Sequence, residues 1–305
     1  MGKRPFRVCS THDQRRAASG LPASIAHEPS PLIIQAPGRT EMMMPPILEN
    51  KNTSSPSVFV PSVLLREARR QKNIPAMQVR SVCVLDPDGD LVRALRGSGK
   101  AAPFAGWPCY HTELDTFTLA GQEAGIVGRV VGASFAVLVA EELFASGCRL
   151  LVSLTSAGQI VPSGPPPYFV IIIDRALRDE GTSYHYMAAS EFAEADSQLV
   201  QAASIATSKA GPRVIVGSTW TTDAPFRETA EAIEAARTKG ILGVEMEAAA
   251  LYAFARSADV RLLCLAHVTN TMGQDGADFE KGEADGTRDA LSVLSSVIEA
   301  LYPVN

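Results

Sequence analysis

The sequence predicts an α/β fold in which a largely buried β-sheet is flanked by helices. Runs rich in β-branched and aliphatic residues recur along the chain and are typical of buried strands. Between them lie segments with apolar residues three or four positions apart, the spacing of amphipathic helices. Strand and helix patterns alternate along much of the chain, which favours a sheet packed against helices.

The individual elements follow from this periodicity and from their flanking residues. A Pro61-Ser62 start and apolar positions three or four apart predict the first helix, and Gly147 ends the second. Helices are predicted at residues 61–71, 134–146, 196–210, 248–255 and 286–301. Strands are predicted at residues 81–85, 113–119, 124–133, 149–154, 168–173, 213–217, 241–244 and 261–268, with turns or loops at 86–93, 155–158 and 178–186.

Composition narrows the classes of function. The chain has 305 residues, 46% of them hydrophobic, enough for a substantial core. A formal net charge of −5 without a basic run argues against nucleic-acid and anionic-membrane partners and favours a small-molecule ligand. Five scattered cysteines without a CxxC pair predict neither a zinc site nor disulfides. Because no membrane span or secretory signal is recognisable, a cytoplasmic location is expected.

The chain divides into a tail and one domain. Residues 1–57 are rich in Pro, Ser, Arg and Gln without a periodic apolar face, so we expect a disordered tail followed by a domain at 58–305. The arginine content also allows a transit peptide, although the prolines oppose an amphipathic helix. A third interpretation is a start at one of the methionines at 42–44.

The most informative stretch is residues 243–255. Here Glu245 and Glu247 lie where a predicted strand meets a predicted helix. A carboxylate at such a junction can accept two hydroxyl hydrogen bonds, as binding of the vicinal 2′ and 3′ hydroxyls of a ribose requires. The alternative is that acidic residues in a first helical turn only complement the helix dipole.

Three motifs in the same order resemble the nucleoside phosphorylase superfamily of purine and uridine phosphorylases and related nucleosidases. They are VEMEAAALY at 244–252, GSTWTTDAPFRET at 217–229 and RDEGTSYHY at 178–186, the last resembling the uridine phosphorylase branch. With weaker matches near Gly89 and Gly158, the resemblance covers residues 58–305. It implies a single α/β domain with a central mixed β-sheet flanked by helices, and a homo-oligomer, either a dimer or a hexamer.

The resemblance also implies a set of site residues. Glu247 would bind the ribose hydroxyls above Met246, Trp220 would stack on the base, and Asn270 would hydrogen-bond it. Glu245, Asp223, Arg227 and His185 are supporting candidates. The implied ligands of inorganic phosphate, the co-substrate in place of any cofactor, are Gly89, Arg93, Thr155 and Ser156, with Arg129 as a possible substitute arginine. Each role has a plainer structural alternative: Trp220 could be a core residue, Asn270 an ordinary residue at a strand end, and Arg93 a solvated side chain.

Departures from the family pattern leave the reaction open. Ser153 stands where phosphorylases usually carry an arginine, and the region around His111 has no convincing match to the arginine that a neighbouring subunit normally supplies. Three hypotheses follow: a phosphorylase, a nucleosidase using water, or a non-catalytic nucleoside-binding protein. Because an amide cannot act as a general acid, Asn270 favours bases with an oxygen acceptor; Asp223 and Asp275 are other candidate acids.

Overall fold

The secondary structure comes from a computed structural model that describes residues 45–161, 169–208, 211–271 and 286–303. The strands in these ranges are β1 (Val82–Asp86), β2 (Ala101–Pro103), β3 (Asp115–Leu119), β4 (Gln122–Gly128), β5 (Leu150–Gln159), β6 (Val170–Asp179), β7 (Phe192–Glu194), β8 (Val214–Thr222), β9 (Gly243–Glu245) and β10 (Arg261–Thr271). The α-helices are α1 (Pro61–Lys72), α2 (Asp90–Gly97), α3 (Ala133–Ala145), α4 (Ser197–Thr207), α5 (Ala230–Thr238), α6 (Ala248–Ala258) and α7 (Thr287–Leu301). Short 3₁₀ helices lie at Pro46–Leu48, Thr182–His185 and Pro225–Arg227.

The strands form one mixed sheet. Its order is β10-β6-β8-β9-β5-β1-β4-β3-β2, and β7 pairs with β6. The central strand β1 runs parallel to β4 and β5, whereas β2, β3 and β4 form an antiparallel meander at one edge. The predicted α/β fold with a central mixed sheet and flanking helices is therefore confirmed.

Five of these strands close into a ring. Strand β5 pairs with β10 in parallel, β10 with β6 antiparallel, and β6 with β8 in parallel. The three-residue strand β9 then joins β8 to β5 and completes the circle. Residues near the ends of β5, β9 and β10 consequently lie side by side, since Gly158 pairs with both Val244 and Asn270.

Hydrophobic cores lie on both faces of the sheet. One core contains the inward faces of α3 and α6, and the other contains those of α2, α4 and α7. The phenol of Tyr252 anchors α6: it donates to the carbonyl of Ile173 at 2.6 Å and accepts from the amide of Cys264 at 3.0 Å. Helix α6 is thereby fixed to β6 and β10, which positions its amino-terminal end.

Several predicted boundaries are corrected by the structure. The expected turn at 86–93 passes into α2 at Asp90, so Arg93 lies on a helix. Strand β5 continues through Thr155 and Ser156 to Gln159 because pairing with β10 and β9 extends it, so residues 155–158 are not a loop. Tyr168 and residues 209–210 of the predicted elements lie outside the described residues.

Ordered contacts begin ahead of the predicted domain boundary at residue 58. A Cβ atom built on Gly181 would lie 3.1 Å from Cδ1 of Ile47, and the ammonium of Lys51 donates to Nδ1 of His185 at 3.0 Å. The described residues from 45 onwards form one compact unit by their contacts. Across the described ranges, no helix combines the length and apolar character needed to span a membrane.

Candidate active site

The junction between β9 and α6 buries two carboxylates with different surroundings. Glu245 is fully engaged within the protein: one oxygen accepts from the hydroxyls of Thr219 and Thr221, and the other accepts from the amides of Glu247 and Ala248 at 2.8 and 2.7 Å. The last two donors are backbone N–H groups at the start of α6, which lack partners inside the helix. Glu245 therefore fixes the junction and holds β8 and β9 to α6.

The second carboxylate, Glu247, is only half engaged. Its Oε1 accepts from the amide of Gly132 at 2.7 Å, while its Oε2 is buried and has no hydrogen-bond partner in the described part of the chain. Gly132 has φ +93° and ψ 146°, a conformation that essentially only glycine adopts at low cost. Burial and the charge of Glu245 raise the pKa of Glu247 above its ordinary value, opposed by the Gly132 amide and the Thr155 side chain.

A cavity of about 200 Å³ lies against this junction. It brings together six of the residues predicted for the site: Thr155, Ser156, Glu245, Met246, Glu247 and Asn270. Thr155 and Ser156 come from β5 and Asn270 from β10, next to a register shift between Val268 and Asn270. Such an irregularity changes the direction of a side chain. The closed ring of strands thus gathers residues that are more than a hundred positions apart in the sequence.

Three of the predicted phosphate ligands line a different cavity of about 480 Å³. Gly89, Arg93 and Arg129 lie along it, with Arg96 and His111. Arg129 lies directly over Gly89, because a Cβ atom on Gly89 would come within 2.8 Å of its Cγ. Arg93 forms an ion pair with Asp90 at 2.8 Å. Arg129, the possible substitute arginine, therefore lies beside the turn at Gly89 and lines a different cavity from Thr155 and Ser156.

The amino-terminal end of α2 is already capped by a carboxylate of the chain itself. Asp86 accepts from the amide of Gly89 at 3.2 Å through Oδ1 and from that of Val92 at 2.9 Å through Oδ2. Burial and the nearby charges of Asp88 and Asp90 raise the pKa of Asp86 to about 6, against the effect of these two bonds. The amino terminus of a helix attracts anions. At α2 this position is already occupied by the Asp86 side chain.

Ser153, the departure from the family's arginine, lies in the middle of β5. It pairs with Leu85 of β1 and Cys264 of β10, and its buried hydroxyl has no partner in the ranges that the structure describes. Ser153 lines neither of the two cavities above. It therefore contributes no charge to either.

The structure places Trp220 in the core rather than at the 200 Å³ cavity. Its side chain packs with Ile233, Ile241 and Val244, and its Nε1–H donates to Oδ2 of Asp179 at 3.0 Å. On β8 it pairs with Val244, the residue before the acidic junction. The plainer alternative, a core tryptophan, therefore describes its position, because an apolar cluster of β8, β9 and α5 residues encloses the indole.

The remaining predicted contacts also lie away from that cavity. Asp223 accepts from the amide of Gly181 at 2.9 Å and joins the two loops, and Arg227 is exposed at the end of a 3₁₀ helix. His185 lines a separate groove next to α1 and α3, together with Phe59. Asp275 lies outside the described residues.

Two acidic residues of the cavity wall were missed by the sequence analysis. Asp88 and Glu228 line it, together with Pro87, Val131 and Pro225. Glu228 stands in the motif at 217–229, but nothing in the sequence distinguishes it from the neighbouring polar residues. With Glu245 and Glu247, the wall formed by described residues carries four carboxyl groups and no basic side chain. Such a cavity suits a neutral, hydroxyl-rich ligand better than a free anion.

Comparison with known proteins agrees with this fold. A uridine phosphorylase from Vibrio fischeri, solved in complex with 6-hydroxy-1-naphthoic acid, is similar to the chain with a TM-score of 0.60 and 20% identity, over 76% of this chain and 93% of that one. At this level of identity, the similarity concerns the fold alone.

Sequence relatives indicate the same family. A DeoD-type purine nucleoside phosphorylase of Proteus mirabilis is 27% identical over 185 residues, which cover 60% of this chain and 75% of the relative. A uridine phosphorylase of Thermococcus kodakarensis is 28% identical over 209 residues, covering 61% and 73%. The family model described as the phosphorylase superfamily matches residues 81–300, well over half of the chain. The protein therefore belongs to the phosphorylase superfamily.

Proposed function

We propose that the chain cleaves the N-glycosidic bond of a ribonucleoside bound in the 200 Å³ cavity. The observation that carries the proposal is the state of Glu247, which lines this cavity. Its Oε2 is buried and has no hydrogen-bond partner among the described residues. A buried acceptor left without a donor costs about 1–3 kcal/mol. The vicinal hydroxyls of a ribose would supply the missing donors.

The other residues of the cavity then receive complementary roles. Met246 provides an apolar surface for the sugar, and the hydroxyls of Thr155 and Ser156 can bond its oxygens. The Asn270 amide can donate to a carbonyl oxygen of the base. Glu245 supports the site indirectly, because its oxygens already serve four protein donors.

Glycosidic cleavage passes through an oxocarbenium-like sugar. An anionic environment stabilises the positive charge that develops on the sugar ring as the base departs. This lowers the barrier because the positive charge on the ring is larger in the transition state than in the bound substrate. Those carboxyl groups of the cavity wall that are ionised contribute to such an environment.

Inorganic phosphate is our first candidate for the nucleophile. Support comes from similarity to relatives named purine nucleoside and uridine phosphorylases, and from Arg93 and Arg129 beside Gly89. A phosphate beside the turn at 88–89, where Asp88 lines the smaller cavity and Gly89 the larger, would meet two guanidinium groups. Guanidinium groups bind phosphate through charge-assisted hydrogen bonds.

Water is a second candidate, favoured by Asp86. This carboxylate uses the amides of Gly89 and Val92 that a phosphate at the start of α2 would need. Ser153 adds no charge, and the wall of the smaller cavity, so far as it is described, carries only acidic ionisable groups. A dianion without compensating cations is costly to bury, whereas water is not.

Product analysis separates the candidates. A panel of purine and pyrimidine nucleosides is incubated with and without phosphate, for the wild type, Arg93→Ala, Arg129→Ala and the exposed control Arg66→Ala. Phosphorolysis predicts ribose 1-phosphate, a rate that saturates with phosphate, and a raised phosphate KM in the first two variants only. Free ribose at a rate independent of phosphate and of Arg93 would establish hydrolysis, and absence of cleavage in every buffer would refute the proposal.

A further inference from the structure

Glu228 is an acidic side chain of the cavity wall to which the proposed reaction has so far given no task. It follows the 3₁₀ helix Pro225–Arg227 and lines the same cavity as Asn270, Met246 and Glu247. It is half-buried, and no hydrogen bond or ion pair links its side chain to another part of the chain that the structure describes. A carboxyl group that is partly desolvated and unpartnered costs stability unless a ligand bonds to it.

The surroundings of Glu228 favour its neutral form. Burial alone raises its pKa to about 7, since no cation compensates. Among the described residues of this wall, the other ionisable groups are the acids Asp88, Glu245 and Glu247. The charged chain neighbours Arg227 and Glu231 are exposed. At neutral pH a substantial fraction of Glu228 therefore carries a proton that it can donate, and an acid titrating near the operating pH is the kind that general acid catalysis uses best.

We propose that Glu228 is the general acid that protonates the departing base, the task that the amide of Asn270 cannot perform. The inference rests on the proposed function, because it assigns a step within that reaction. It gives the two residues complementary parts: Asn270 orients a base through a neutral hydrogen bond, and Glu228 supplies the proton. It also extends the substrate class to bases whose anions are poor leaving groups, which must be protonated as they depart.

The step balances in atoms and electrons. The C1′–N bond breaks and its electron pair moves to the base nitrogen, while the O–H bond of Glu228 breaks and its proton passes to an acceptor atom of the base. An oxygen of phosphate, or of water, forms the new bond to C1′ and loses a proton to solvent. Solvent then returns a proton to the Glu228 carboxylate, so the enzyme ends the cycle unchanged.

The test uses a substrate that needs no acid. The base of 7-methylguanosine is cationic and departs neutral without receiving a proton, whereas guanosine, inosine or uridine requires one. We compare kcat/KM for both kinds of substrate in the wild type, in Glu228→Gln, and in Glu231→Gln as a control that removes an exposed acid nearby. The pH dependence of the ratio of wild type to Glu228→Gln is also measured on an ordinary nucleoside, which cancels the ionisation of groups that both proteins share.

We expect Glu228→Gln to lower cleavage of the ordinary nucleoside by about 10²–10⁴-fold, the usual range for a general acid, and to leave 7-methylguanosine within about threefold. The ratio should be largest below pH 7 and fall as pH rises through 7, because Glu228 then loses its proton. Equal losses on both substrates, no loss on either, or a ratio that does not change with pH would overturn the proposal. Failure of the wild type to cleave any nucleoside would instead refute the proposed function, and this inference with it.

Discussion

The adjacent carboxylates Glu245 and Glu247 should respond in opposite ways to the same substitution. Glu247→Gln keeps an oxygen for the amide of Gly132, at 2.7 Å in the structure, and replaces only the unpartnered Oε2. Sugar hydroxyls that donate to Oε2 favour the ionised form of Glu247, so in the complex the change removes one charge-assisted hydrogen bond, about 1.5–3 kcal/mol. At about 1.4 kcal/mol per tenfold, kcat/KM should fall by roughly 10- to 150-fold.

The free energy of unfolding of Glu247→Gln should not fall with its activity. Because the pKa of Glu247 is raised in the folded state, its contribution to stability is complete below the ordinary glutamate pKa and is lost as pH rises through the folded pKa. Glutamine does not titrate and avoids that loss. We therefore expect Glu247→Gln to equal or exceed the wild type in Tm, with a margin that grows as pH rises from 4.5 to about 8 and is constant above that.

Glu245→Gln is the matched control. Its carboxylate accepts two hydroxyls through one oxygen and two backbone amides through the other, so the –NH₂ group of glutamine must face a pair of donors. We expect a stability loss of about 1–3 kcal/mol, or a fall in Tm of roughly 2–12 °C. Turnover should fall less than in Glu247→Gln once the protein is assayed well below its Tm.

Thermal denaturation across pH and steady-state kinetics on the preferred nucleoside provide the measurements. A Glu247→Gln protein that is as destabilised as Glu245→Gln, yet turns over at the wild-type rate, would refute the reasoning. Glu247 would then be a structural residue whose second oxygen has no ligand to bind, and the proposed sugar site would lose its main support.

Three further predictions concern the surroundings of the site. Gly132→Ala should lower the free energy of unfolding by about 1–3 kcal/mol because alanine is strained at φ +93°. It should also lower kcat/KM, because it moves the amide that donates to Glu247. An unchanged Tm would show that the backbone adapts. Asp86→Asn should lower the phosphate KM by about two- to fivefold, the effect of one charge at a helix amino terminus; an unchanged KM in the phosphate titration would mean that phosphate does not use the start of α2. Trp220→Phe should reduce stability by about 1–3 kcal/mol through the lost bond to Asp179 while the nucleoside KM stays constant; a large rise in KM would return Trp220 to the base site.

The sequence was sufficient for the class of fold but not for the full extent of its strands. Long buried runs such as Leu150–Leu154 were recognisable because every residue is apolar or small. The continuation of β5 to Gln159 is polar, and only pairing with β10 and β9 makes it a strand. The strand predicted at 241–244 corresponds to β9, whose bounds of Gly243–Glu245 are set by pairing with β5 and β8.

Sequence spacing predicted that residues share a cavity wall where a motif lies on one continuous element, as at Met246 and Glu247. Spacing did not predict positions that depend on packing. Trp220 lies in an apolar cluster, and His185 lines a groove beside α1. Glu228 gave no signal because a glutamate becomes a candidate acid only when its surroundings remove water without adding a cation. Sequence spacing does not carry that information.

The ring of strands has a consequence for how the site responds to local opening. Strand β9 is only three residues long, yet it is the link that joins β8 to β5. Its backbone amides can be released only if the circle is broken, so we expect their hydrogen exchange to require opening of a cooperative unit that includes β5 and β8. A slip of β9 by one residue would also exchange the faces of Val244 and Glu245. The ring therefore makes the geometry around the 200 Å³ cavity an all-or-none property of the fold. Graded adjustment is left to segments outside the ring, such as the one that bears Glu228.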